Sequence, residues 1–488
     1  MSGSIARSFG SASGTVYRLQ PATRYYVNVR VLSPKGQERS APSATRQVVT
    51  LAAAKPTVTV TPSATPPAPP PTTAPTPPTP SPPSNIPTGL HVVSKTYRSV
   101  VLDWAHLPGV ASYRLQLTRS PRLSGGKTYG LRPSSLSTFG LLPGRLYYAR
   151  VRGIDGGSRA VGPWSRPLLF RTNPAPPAPT QPALTVASFN IRCALCYTGI
   201  NGEEPWTVRR GAVVQQVMSR RPDVIGFQEA SQGRVQGTTT PQFVDLRSRL
   251  KAAGGEYEIT NAVPYNCQNP QTPIGCVPQN RNASQGTRIF YNKATASLVA
   301  QGSKLLPSCD GCNNRYFAWA ILKQRATGKS FFFANIHTQY MPKYANLRRD
   351  EVQTMMDEIA RRNPKKLPTF VVGDFNSTRY QSPRNVPYDE VIERGFVDPL
   401  GHTPKSPAVS PQGTTENRIR ANYNSHNNFL RAVARFAEWE NGSNLDYIFT
   451  TPMRVLLWET VLNVDARDRI IGTIPSDHNL ILIKAVLP

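Results

Sequence analysis

From Leu184 onward the chain alternates short apolar runs with stretches of helical periodicity. Residues 185–189, 224–227, 289–291, 331–336, 370–372, 447–449 and 480–483 are short enough for strands and too continuously apolar to face water, so buried strands are predicted. Val213, Val214, Val217 and Met218 follow Pro205 at helical spacing, and Val352, Met355, Met356 and Ile359 repeat the pattern. Each set predicts one apolar helix face, with the methionines as core packing. Residues 184–488 are therefore expected to form an α/β domain with polar motifs at its strand ends, where layered folds bind ligands.

Upstream, one pattern occurs twice at a displacement of 122 residues. Leu19, Pro21, Tyr25, Val27 and Val29 recur as Leu141, Pro143, Tyr147, Ala149 and Val151, and Thr50 recurs as Thr172. The alternation after each Pro turns one strand face inward, as a half-buried antiparallel sandwich requires. With Trp104 on an earlier strand, the pattern resembles the fibronectin type III module, fully over residues 86–172 and partly over 1–53. The first copy lacks its opening strands. Residues 54–85 are dominated by Pro, Thr, Ala and Ser, which favours a polyproline II spacer, reaching up to ~100 Å at ~3.1 Å per residue. Binding to a Pro-recognition module is the other use of such a segment. Residues 173–183 form a shorter Pro-rich linker before the last domain.

At 488 residues the chain has room for several cores, so a multidomain protein is expected. Its formal charge of +29 divides into an excess of 18 basic residues over 1–183 and 11 over 184–488. Such an excess concentrates polyanions such as nucleic acid, anionic lipid or acidic cell-wall polymer. All six cysteines lie after residue 184 in sequence-local pairs: Cys193 with Cys196, Cys267 with Cys276, and Cys309 with Cys312. Close pairing suggests three disulfides and an oxidising compartment, against a zinc site in the two C-x-x-C segments. No apolar stretch reaches the 18 or more residues of a membrane span. The first 30 residues carry no signal-peptide pattern. A truncated or misassigned start would reconcile that with the cysteines, so a secreted and monomeric protein is expected.

Six polar motifs punctuate the strand ends: Ser188-Phe-Asn190-Ile, Phe227-Gln-Glu229, Asn335-Ile-His337-Thr, Gly373-Asp374-Phe-Asn376-Ser, Leu445-Asp446-Tyr-Ile and Ser476-Asp477-His478-Asn. In this order and spacing they resemble the endonuclease/exonuclease/phosphatase superfamily over residues 184–488. The resemblance implies a four-layer DNase-like sandwich, two packed β-sheets flanked by helices, behind N-terminal all-β modules.

Phosphodiester hydrolysis must neutralise negative oxygens, deprotonate water and stabilise the departing alkoxide. Hard oxygen ligands favour Mg2+ or Mn2+, and Glu229 with Asn190 would hold it, with Asp477 as a further carboxylate. The resemblance makes Asp446 and His478 a carboxylate–imidazole pair, with Asp374 orienting water, Asn376 holding a phosphate oxygen and His337 stabilising transition-state oxygens. His402 and His426 are read as solvated loop residues. Two features differ from particular members: Arg192 stands where abasic-site enzymes carry an acid, and residues 283–291 offer no carboxylate to support His337.

Basic pairs at 209–210, 220–221, 348–349, 361–362 and 365–366 are expected mostly to be solvated faces. Residues 418–439 mix Arg418, Arg420, Arg431 and Arg435 with Tyr423, Phe429 and Trp439. That mixture suits a nucleic-acid strand, a lipid surface, or an amphipathic helix packed on the core. The whole reads as a secreted Mg2+- or Mn2+-dependent phosphodiesterase acting on nucleic acid, its fibronectin modules serving as spacers or contacts to extracellular polymer. A sphingomyelinase-type phospholipase C, a phosphomonoesterase and a non-catalytic polyanion-binding adhesin are the competing readings.

Overall fold

The computed structural model describes residues 85–132, 134–260, 286–378, 380–381, 385–401, 413–436 and 440–488, and the backbone of 24–27, 46–49, 266–267 and 276–277. Its chain divides into two compact units at Ser81 and Pro82. In the first, β1 (Arg24–Val27) pairs antiparallel with β2 (Arg46–Val49), placing Tyr25 opposite Val48. Most of the expected 1–53 module and the spacer up to residue 84 lie outside the described residues.

The second unit begins with seven strands: β3 (His91–Lys95), β4 (Ser99–Asp103), β5 (Ser112–Thr118), β6 (Lys127–Leu131), β7 (Ser135–Phe139), β8 (Leu146–Ile154) and β9 (Leu168–Arg171). They form a three-stranded sheet, β3-β4-β7, and a four-stranded sheet, β6-β5-β8-β9. Tyr147, Ala149 and Val151 point inward as the alternation requires, packing with Trp104, Tyr113 and Leu115. Tyr147 faces Phe170, the same register as Tyr25 and Val48 shifted by 122 residues. The repeat is thus preserved in strand pairing.

The remaining chain forms β10 (Leu184–Asn190), α1 (Trp206–Arg220), β11 (Val224–Gln228), α2 (Gln242–Ala252), β12 (Tyr257–Thr260), β13 (Asn266–Cys267), β14 (Cys276–Val277), β15 (Arg288–Asn292) and β16 (Ala296–Leu305). There follow β17 (Tyr316–Gln324), β18 (Ser330–His337), α3 (Ala345–Arg362), β19 (Thr369–Asp374), α4 (Val386–Glu393), β20 (Arg418–Ile419), β21 (Asp446–Thr450), β22 (Arg454–Val461) and β23 (Leu480–Val486). Among the described residues these form two large sheets, β12-β15-β11-β10-β23-β22-β20 and β16-β17-β18-β19-β21, and the separate β13-β14 pair.

Strand periodicity explains why they stack. Leu184, Val186, Val224, Ile481 and Ile483 of the first sheet meet Phe331, Phe333, Phe370, Val372 and Ile448 of the second. The opposite faces, with Ala187, Phe189, Ile225 and Leu482, receive Val213 and Val217 of α1 and Leu246 of α2. On the far side Phe332, Ala334, Val371 and Phe449 receive Val352, Met355 and Ile359 of α3 and Val391 of α4. The architecture is four layers, α/β/β/α, as expected of a DNase-like sandwich.

The sheets approach closely at Gly226, where an added Cβ would meet Val372 Cγ2 at 2.4 Å and Asn335 Cγ at 2.8 Å. Residues 173–183 run along this domain, with Arg454 donating to the Pro177 carbonyl at 2.8 Å and Lys329 to Gln181 Oε1 at 2.8 Å.

The segment 418–439 is not a helix over its described residues. After β20 it runs as turns, and Asn428 and Phe429 at φ 52° and 55° break helical continuation. Side-chain amides satisfy its backbone instead, Asn427 Oδ1 accepting from the Phe429 N–H at 2.8 Å. Tyr423 and Phe429 bury against Leu462, Ile470 and Ile474. Arg431 binds the Ile470 and Gly472 carbonyls. Trp439 and His402 lie outside the described residues.

Candidate active site

The same alternation that builds the inter-sheet core carries polar residues to one end of it. On β10, Leu184 and Val186 are followed on their face by Ser188 and Asn190; on β18, Phe331 and Phe333 are followed by Asn335 and His337; on β19, Phe370 and Val372 are followed by Asp374. β21 pairs antiparallel with β19 and places Asp446 directly opposite Asp374. β23 runs antiparallel to β10, so Asp477 and His478, just before it, arrive at the same end. Beneath them lies a belt of buried amides: Gln228 Nε2 donates to Asn335 Oδ1 at 2.7 Å and Ser188 Oγ at 3.1 Å, and Asn335 Nδ2 donates to the Phe227 and Arg288 carbonyls, while Gln228 Oε1 has no partner among the described residues.

Asp374 is the hub. Its Oδ2 lies 3.5 Å from His337 Nε2 and 3.6 Å from His478 Nε2, and accepts from Asn190 Nδ2 at 3.1 Å. Its Oδ1 accepts from the Asn376 N–H at 2.8 Å. His478 Nδ1 meets Asp446 Oδ2 at 2.8 Å, the expected carboxylate–imidazole pair. Asn190 Nδ2 also reaches Glu229 Oε1 at 3.2 Å, and the Cys193 N–H donates to Glu229 Oε2 at 2.9 Å. Asn376 turns its amide to the Thr338 carbonyl at 2.9 Å, so here it braces a loop. Arg192, Glu229 and Asn376 all adopt positive φ, 52°, 57° and 46°, immediately beyond their strands. Each of these three turns carries a conformation that a non-glycine residue seldom adopts.

Burial sets the protonation states. It raises Asp374 to about 7, with His478 pulling down and Asp446 pushing up. Burial also opposes a charged His478, yet Asp446 and Asp374 outweigh it and hold that imidazole well above its usual range. His337 is driven well below the usual range by burial, then by Arg315 and His478. One imidazole is cationic and the other neutral beside the same carboxylate.

The donor set suits a hard divalent cation. Glu229, Asn190, Asp374, Asp446 and Asp477 offer oxygen, and Asp446 Oδ1 is buried with no hydrogen-bond partner among the described residues. Glu229 with Asn190 forms the first candidate cradle; Asp477 stands apart beside Arg192, 3.8 Å from its Nη1. Cys193 and Cys196 adjoin Glu229 but are bonded to each other, as are Cys309 and Cys312, which removes the zinc reading for both pairs. Cys267 and Cys276 face each other across the β13–β14 pair.

Several functional positions escaped the sequence reading. His426 is not a solvated loop residue: it is bridged to His478, ring centroids 4.8 Å apart and edge-on. Burial, then His478, lowers it to about 4. Arg315, just before β17, reaches the site, its Nη1 3.5 Å from the His337 carbonyl and its Nε buried without a partner among the described residues; burial lowers its pKa against the opposing charges of Glu351, Glu229 and Asp374. Arg209 and Arg348 are buried, contrary to the solvated-face expectation. Arg209 donates to the Ile191, Arg192 and Pro475 carbonyls, tying the Asn190 and Asp477 loops together, while Arg348 holds the carbonyls of Gln339 and Met341. Helical basic residues paired in sequence gave no sign of this.

Comparison with known proteins adds a family match. Residues 187–478, more than half of the chain, match the Endonuclease/Exonuclease/phosphatase family. Nocturnin of Drosophila melanogaster is 24% identical over 174 residues, which are 35% of this chain and 24% of that protein, so the match spans about a quarter of that relative. Among solved structures, an endonuclease/exonuclease/phosphatase family protein from Bacteroides thetaiotaomicron is 22% identical with a TM-score of 0.46, covering 63% of this chain and 99% of that one. The mannosyl-6-phosphatase of Bacteroides thetaiotaomicron VPI-5482 is 22% identical at TM-score 0.46, covering 62% and 100%. The human Nocturnin catalytic domain with bound sulfate is 17% identical at TM-score 0.42, covering 63% and 95%.

Proposed function

Because this chain belongs to the Endonuclease/Exonuclease/phosphatase family, whose members hydrolyse phosphoester bonds, we propose that it is a secreted, divalent-metal-dependent phosphodiesterase that cleaves nucleic acid. The observation that carries the reading is Asp374, raised to about 7 between a cationic His478 and a neutral His337, with Asn190 joining it to Glu229. A carboxylate poised near neutrality is matched to take a proton from water.

Water held on Asp374 Oδ2 attacks phosphorus and yields its proton to that carboxylate as the P–O bond to the leaving alkoxide breaks. His478, kept cationic by Asp446, donates a hydrogen bond to a phosphoryl oxygen gaining charge. Arg315 supplies a second positive group on the same side, and His337, being neutral, donates or accepts without adding charge. Glu229 and Asn190 would hold Mg2+ or Mn2+, with Asp477 as a further carboxylate; the bound ion supplies Lewis-acid stabilisation of phosphate charge.

Nucleic acid is favoured by the basic excess of 11 over residues 184–488, which raises the local concentration of a polyanion. Two closed cysteine pairs favour an oxidising, extracellular location. Among the described residues no helix is long and apolar enough to cross a membrane. The sandwich over 86–172 and the partial repeat over 1–53 are proposed as fibronectin type III modules that space the enzyme or touch extracellular polymer, and the protein as a monomer.

The test is the full chain, with Mg2+ or Mn2+ and with EDTA, against plasmid DNA, RNA, sphingomyelin vesicles and inositol phosphates, alongside His478→Ala. Metal-dependent cleavage of DNA or RNA that the variant loses is expected. Turnover of lipid or inositol phosphate alone would move the assignment to a phospholipase C or phosphomonoesterase, and silence on all four to a polyanion-binding adhesin.

A further inference from the structure

Resting on the reading that Glu229 holds the divalent cation, we propose that the Cys193–Cys196 disulfide is a positioning element of that site, so that its affinity for the cation depends on whether the bond is closed. The bond closes a four-residue turn beginning three positions after Asn190, and the Cys196 N–H donates to the Cys193 carbonyl at 3.1 Å across it. Both ends of the turn serve the site. At one end the Cys193 N–H holds Glu229 Oε2 at 2.9 Å, opposite the oxygen that Asn190 contacts. At the other, the Cys196 carbonyl accepts from Arg192 Nη2 at 2.9 Å. Arg192 in turn gives its N–H to Asn190 Oδ1 at 3.1 Å and brings Nη1 to 3.8 Å from Asp477.

The turn thus holds Glu229 directly and, through Arg192, which also pairs with Glu203 at 3.2 Å, helps to orient Asn190 and Asp477. Arg192 sits at φ 52°, a conformation that must be imposed on a non-glycine residue by its surroundings. Beyond Cys196 the chain is exposed, with Tyr197 at 51% and Ile200 at 48%, so little apolar packing holds the turn from that side. Both cysteines are only half-buried, within reach of a small reductant. The Cys309–Cys312 staple has the same spacing, and neither of its cysteines is among the hydrogen-bond partners of Glu229, Asn190 or Asp477 given above, which makes it the internal control.

Mn2+ binding to the full chain, read from loss of the free-ion electron paramagnetic resonance signal, tests this without turnover. A trialkylphosphine opens the bond: phosphorus is oxidised to the phosphine oxide by a water oxygen, and the two sulfurs take the two electrons and two protons. Reduction should weaken Mn2+ binding roughly 10–100-fold, the usual cost of losing an outer partner of a metal ligand. Circular dichroism at the binding temperature should show the fold intact.

Cys193→Ser/Cys196→Ser should bind as weakly without reductant and cease to respond to it, whereas Cys309→Ser/Cys312→Ser should bind tightly and still respond. At saturating Mn2+ the first variant should recover most of its activity. Equal affinity with the bond open and closed, or a response that follows Cys309 and Cys312, overturns the proposal. If the serine pair does not fold, reduction of the wild-type chain still decides. Glu229→Gln separates the two layers of the reading: wild-type Mn2+ affinity in that variant removes the cation assignment itself and the proposal with it.

Discussion

Replacing Asp446 with Asn keeps the shape of the site and removes one charge. Asp446 is 1% and His478 5% exposed, so their 2.8 Å contact is a buried hydrogen bond between ions. Such bonds contribute about 1.5–3 kcal/mol. At 1.36 kcal/mol per factor of ten, kcat/KM should fall about 10- to 150-fold if His478 acts as a cation. The pH profile gives the sharper readout. Activity requires Asp374 ionised on the acid side and His478 protonated on the basic side.

Asp446 raises both groups, the imidazole by stabilising its charge and the carboxyl by repelling its anion. Its neutralisation therefore moves both limbs of the kcat/KM profile to lower pH. The assay is metal-saturated hydrolysis of a phosphodiester across pH 5–9, wild type against Asp446→Asn. A variant within threefold of wild type, or with its basic limb unmoved, would refute the assignment of His478 as the cationic partner.

Arg315→Met should lower kcat/KM on a phosphodiester by about tenfold or more, since a partly unsatisfied guanidinium beside Glu229 and Asp374 is replaced by an apolar chain of similar length; unchanged kinetics would place Arg315 outside the substrate's reach. Gly226→Ala should destabilise by about 1–3 kcal/mol, because the new Cβ would lie 2.4 Å from Val372, and calorimetry should show a correspondingly lower Tm. Asp374, raised from an ordinary 3.8 to about 7, binds its proton more tightly folded than unfolded, so its contribution to stability declines as pH rises from about 4 through 7. In EDTA, Asp374→Asn should gain Tm relative to wild type over that interval; a difference independent of pH contradicts the burial argument.

The layered fold was legible because its strands are buried on both faces and its helices are not, a contrast that apolar runs and helical spacing both record. The ends of β10, β18, β19 and β21 were legible for a related reason: each apolar run stops abruptly at Asn190, His337, Asp374 or Asp446. Short motifs sufficed there because each strand end delivers only two or three residues to the site.

His426 left no such mark. It lies among Asn and Ser residues with no period, and meets His478 only because Asn427 and Asn428 donate their N–H groups to the Asp477 carbonyl. Arg209 and Arg348 were misread because a basic pair on a helix looks the same in sequence whether one member is solvated or turned inward onto carbonyls.

The cost of the site falls on the residues that end the strands. Four carboxylates converge where the apolar core stops, and Asp446 Oδ1 is left buried without a partner among the described residues. Burial, and then the neighbouring Asp446, keep Asp374 from ionising easily. Proton uptake at Asp374 and the positive groups of Arg192, Arg315 and His478, brought in by loops, offset the convergent negative charge. Arg192 itself, with Glu229 and Asn376 beyond their own strands, sits at positive φ. The scaffold and the site therefore obey different constraints. The sheets would pack as well with apolar residues at these positions; a ligand that neutralises carboxylates and presents phosphate oxygens to cationic groups accounts for polar residues and their convergence in one place.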